Sequence, residues 1–90
     1  MRTLEKEIKN NGTTYSLVKR TSWKAMYRAE GGHYEVFHIE IRPEVELFGK
    51  VIPEREHYPT NEDFGKFAWC ISSREKADEI YNNLIEKKDE

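Results

Sequence analysis

The chain has 90 residues, 37% hydrophobic, 12% aromatic and 36% charged, with a formal net charge of -2; this length leaves room for one core and excludes a multidomain enzyme. The aromatic side chains bury enough area to exclude a wholly disordered chain. A lone cysteine excludes an internal disulfide, and no apolar run approaches the roughly 18 residues of a membrane span, so the expected setting is cytoplasmic with no membrane contact.

In chain order, the first signal is Asn11-Gly12, a dipeptide suited to the positive φ angles of a tight turn. It predicts a hairpin between strands over residues 4–10 and 13–21. Trp23, Ala25, Tyr27 and Ala29 then alternate with Lys24, Met26, Arg28 and Glu30, which gives the next strand one apolar and one mostly charged face. The apolar face is the one expected to meet a helix. Gly31-Gly32 turns the chain into a strand over 33–42, with Phe37, Ile39 and Ile41 on one side, until Pro43 removes a donor. "ELFGKVIPE" predicts a shorter strand with a bulge at Gly49. Residues 53–65 combine two prolines with turn formers and predict an acidic loop. "KFAWCIS" has the composition of an interior strand covered on both faces, which makes Cys70 a small buried thiol.

Ser72 stands three residues before Glu75, a capping-box spacing, and Ala77, Ile80, Tyr81, Leu84 and Ile85 follow at helical spacing. The expected architecture is α+β: one domain with an antiparallel sheet of about five or six strands packed by one C-terminal helix in two layers.

No catalytic residue is predicted. His33 and His38 lie five apart on a strand and point to opposite faces, so they cannot share a metal. His57 with Glu54, Glu56, Glu62 and Asp63 lacks the spacing of a known cation loop. There is no phosphate loop, paired-cysteine motif or nucleophile elbow. The sequence therefore predicts a non-enzymatic binding or accessory protein without metal or other cofactor.

The charge distribution supplies the candidate surface. Residues 13–29 carry four bases and no acid, whereas 30–63 carry three bases and nine acids. Lys19, Arg20, Lys24 and Arg28, with Tyr15, Trp23 and Tyr27 close by, have the chemistry to hold phosphates and stack on bases. Single-stranded DNA or RNA is the first expected partner. The alternative is a protein partner or homodimer, engaged through an exposed sheet edge or the acidic loop 53–65.

"EVFHIEIRP" and "YPTNEDFGKFAWCISS", with Asn61, Glu62, Asp63, Phe64, Gly65, Ala68 and Trp69 as the matching positions, resemble small uncharacterised proteins of gut bacteria and their phages or mobile elements. That resemblance implies no particular activity. Several strands followed by one helix also resembles the layout of the single-strand-binding transcriptional coactivator and whirly-type folds, which implies a dimer on melted DNA.

Overall fold

Asn11 (φ 53°) and Gly12 (φ 80°) both occupy the left-handed region, as a two-residue type I′ turn requires, and fold β1 (Glu7–Asn10) onto β2 (Thr13–Arg20). The computed structural model describes residues 2–60 and 63–86. β3 (Lys24–Ala29), β4 (Tyr34–His38) and β9 (Ala68–Ile71) complete a five-stranded antiparallel sheet in the order β1-β2-β3-β4-β9. α1 (Arg74–Asn83) lies on it. No described helix is long and apolar enough to cross a membrane.

The register of β2 against β3 shifts at Val18: Leu17 opposes Tyr27, but Lys19 opposes Met26 and Arg20 opposes Ala25. Val18 is thus the extra residue of a bulge. Opposed residues share a face, so Lys19 emerges on the Met26 side and Arg20 on the Ala25 side, the reverse of an unbulged strand.

The helix occupies the face opposite to the one expected. Ala77 and Tyr81 pack on Met26 and Val36, with Val18, Ile71, Ile80 and Leu84 around them. Ala25, Tyr27, Phe37, Ile39 and Ala68 form the other core, covered by Leu4, Tyr58 and Phe64 together with Ile8, Tyr15 and Leu17. The Tyr27, Phe37 and Tyr58 rings stand 4.8–5.8 Å apart, and the Tyr27 hydroxyl donates to the Glu5 carbonyl at 2.6 Å. Chain segments, rather than a helix, enclose this aromatic layer.

Several boundaries also differ from expectation. The strand predicted over 33–42 breaks at Ile39, whose N–H donates to the Trp23 carbonyl at 2.8 Å; β5 (Glu40–Arg42) then leaves the main sheet to pair with β8 (Arg55–His57). Part of the loop 53–65 is therefore strand. "ELFGKVIPE" holds a hairpin, β6 (Val45–Leu47) and β7 (Lys50–Ile52), and Gly49 is in its turn rather than in a bulge. β9 pairs with β4 alone and is an edge, not an interior strand, which leaves Cys70 exposed.

Ser73, not Ser72, caps α1: it has extended backbone angles and its hydroxyl accepts from the Lys76 N–H at 3.4 Å. The apolar stripe ends early, with Leu84 partly buried at the C-cap and Ile85 83% exposed. Replacing Ser73 with Ala is expected to cost about 0.5–1 kcal/mol in chemical denaturation. Ser72→Ala, on an exposed side chain outside the helix, should stay within about 0.5 kcal/mol of wild type.

Candidate functional site

The four predicted basic residues do not form one surface. The bulge delivers Lys19 to the helix side, where its ammonium meets Asp78 at 2.8 Å and lies over the Tyr81 ring. Lys24 reaches the same end of the helix and donates to the Tyr81 carbonyl at 2.8 Å, which also accepts from the Leu84 N–H at 3.4 Å, and its charge there favours the helix dipole. Arg20 points to the opposite face and makes two bonds to Glu56, at 2.6 and 2.7 Å. Arg28 is exposed, and among the described residues its side chain has no ion pair or hydrogen bond. The acids missing from 13–29 arrive from positions far along the chain.

Two acids of the loop 53–65, Glu56 and Asp63, are likewise committed internally. Glu56 also accepts from the Leu4 N–H at 2.9 Å, and the Arg20 bonds hold its carboxyl below the usual carboxylate range. Asp63 accepts from the N–H and the hydroxyl of Thr60. His57 lies on the face of β8 opposite to Glu56; its Nδ1 is buried without a hydrogen-bond partner among the described residues. Asn61 and Glu62 lie outside the described residues.

Three features were missed from sequence. Beyond the end of the helix, His38 is ringed by Trp23 (5.3 Å between centroids), Phe67 (6.2 Å) and Trp69 (6.4 Å). The second feature is the β6–β7 hairpin, whose strands pair with each other and, among the described residues, make no extensive contact with another element. It exposes Val45, Leu47 and Val51, and Phe48 at its tip is 100% exposed. Phe48 also has φ 52°, a conformation unfavourable to a bulky side chain and ordinarily given to Asn, Asp or Gly.

The third is a cluster at the β4–β9 edge. His33 directly precedes β4, two residues before Glu35, and Cys70 is the cross-strand neighbour of Glu35. One ligand atom from each lies within 4.8 Å of the other two. The Glu35 side chain is 9% exposed; one carboxylate oxygen accepts from the Tyr58 hydroxyl, and the other faces His33 Nε2 at 3.9 Å. Burial and the neighbouring Glu35 push the Tyr58 hydroxyl far above its ordinary range, so it remains a proton donor. Partial desolvation beside the sheet and the neighbouring Glu35 raise the otherwise exposed Cys70 thiol, so it is not a ready nucleophile. The sequence signal was His-x-Glu on a strand; its third member required the pairing of β4 with β9.

Comparison with protein-family models, curated proteins and solved structures finds no match.

Proposed function

We propose that the chain is a non-enzymatic protein-interaction module that presents the β6–β7 hairpin to a protein partner. The observation that carries this reading is Phe48, fully exposed at the tip of an apolar arm and held at a backbone angle that disfavours it. The backbone angle costs folding, the exposed ring returns nothing to it, and the residue gains favourable contacts only when a partner covers it. Exposed Glu44, Glu46 and Glu54 stand close by in sequence, against one exposed base on the arm, Lys50, so the complementary surface is an apolar cleft with a mainly basic rim. Both strands of the arm also offer an open edge to strand addition.

A photo-crosslinking residue at position 48, with position 28 as control, tests this in the source cell. A discrete protein adduct from 48 that disappears with Val51→Ser supports the reading. No adduct, or an adduct equal to that from position 28, sinks it. Phe48→Asn gives a second check: the free energy of the arm's local opening, read from exchange of its amides, should rise by about 1 kcal/mol as the turn relaxes, while partner capture is lost.

Single-stranded nucleic acid is the second reading, and the Trp23–His38–Trp69 cluster beside Lys24 favours it. It has weaker support because three of the four basic groups are already paired within the chain. Tryptophan quenching by oligonucleotides at low salt, steeply relieved by added salt, would distinguish it from the first.

A further inference from the structure

We propose that His33, Glu35 and Cys70 hold one zinc-type divalent cation, in a three-ligand site whose fourth position opens to solvent at the β4–β9 edge. The backbone brings the three residues together: His33 directly precedes β4, two residues before Glu35, and Cys70 is the cross-strand neighbour of Glu35. Their ligand atoms lie within 4.8 Å of one another. Tetrahedral zinc, with bonds of about 2.0–2.3 Å, separates its ligands by roughly 3.3–3.8 Å, so closure needs an inward movement of at most roughly 1–1.5 Å. The exposed Cys70 and the half-buried His33 can supply it by small side-chain rotations.

Two further features point to a cation rather than to an accident of packing. The Glu35 carboxylate is nine-tenths buried, and among the described residues its one ion-pair partner is an imidazole at 3.9 Å, too distant for a hydrogen bond. A carboxylate so removed from water is costly unless a cation is supplied. In addition, Tyr58 is fixed among the Tyr15, Tyr27 and Phe37 rings and holds one Glu35 oxygen, so the other is aimed before any ion arrives. Thiolate, imidazole and carboxylate together suit zinc or cobalt; magnesium and calcium prefer oxygen throughout. Binding releases the thiol proton to solvent, and thiolate and carboxylate then balance the two positive charges of the ion.

The test is a cobalt(II) titration of the full chain, purified under reducing conditions and freed of metal. The expected result is a thiolate-to-cobalt charge-transfer band that saturates at one equivalent, is bleached by zinc and is unaffected by magnesium. Cys70→Ser and His33→Gln, both substitutions at accessible side chains, should abolish it, and His57→Gln should leave it intact. Tyr58→Phe keeps the ring and removes the hydroxyl; it should weaken cobalt affinity about 10–100-fold. Absence of the band, its persistence in His33→Gln, or a band that grows with protein concentration as chains share one ion would overturn the intrachain site.

Discussion

Phe37→Ala is expected to lower the unfolding free energy by about 3–5 kcal/mol. Its ring is fully buried between Tyr27 at 5.8 Å and Tyr58 at 4.8 Å. Removing it deletes the middle of the aromatic layer, and neither neighbour can collapse inward without giving up the hydrogen bond that fixes its hydroxyl. A small domain has only about 5–15 kcal/mol in total, so the variant should unfold at low urea or fail to accumulate. Phe37→Leu, which leaves a smaller void, should fall between this variant and wild type. Equal midpoints for all three in urea denaturation would show that this layer does not hold the sheet.

The second large effect belongs to Arg20. Its partner Glu56 has a side chain only 4% exposed, and Arg20→Met would strand that carboxylate in a poorly solvated position. The expected cost is about 3 kcal/mol, at the lower end for a broken buried pair because the guanidinium is still 24% exposed. Arg20→Met combined with Glu56→Met should recover most of it, since no buried charge then remains. The pH dependence follows from the direction of the Glu56 shift. Arg20 lowers the carboxyl in the folded state, so the folded chain binds fewer protons than the unfolded one through the acid range. The pair's contribution is complete above the ordinary carboxylate range and is lost as pH falls through it toward the lowered folded value. Arg20→Met should therefore be most destabilised near neutrality and approach wild type in acid. A constant difference across pH, measured by urea denaturation, would show that the carboxylate is not what the arginine stabilises.

Local signals were legible in the sequence where a few neighbouring residues decide the structure. Asn11-Gly12 specified the first turn, and the serine spacing placed the start of the helix to within one residue, while the apolar spacing carried it past its end at Asn83 to Ile85. The side of the sheet that the helix takes was not legible. β3 is buried on both faces, with Met26 as enclosed as Tyr27, so alternation could not say which face belonged to α1 and which to Leu4, Tyr58 and Phe64. The bulge at Val18 was equally hidden, because an extra residue shows only against its partner strand. That single insertion decides which of two adjacent cations meets Asp78 and which meets Glu56, and with it the fate of the basic stretch. The His33–Glu35–Cys70 cluster depended in the same way on β9 lying beside β4.

The arm formed by β6 and β7 has a consequence for timescale. A two-stranded hairpin with little support from the rest of the fold is marginally stable, so its amides should exchange with solvent through local opening, far sooner than those of β3 and β4, which open only with the whole sheet. Ordering of the arm and unfolding of the sheet are then separate equilibria. A partner that clamps the arm would protect those few amides and leave the slowest ones unchanged, and a core variant that still folds would bind it as tightly as wild type.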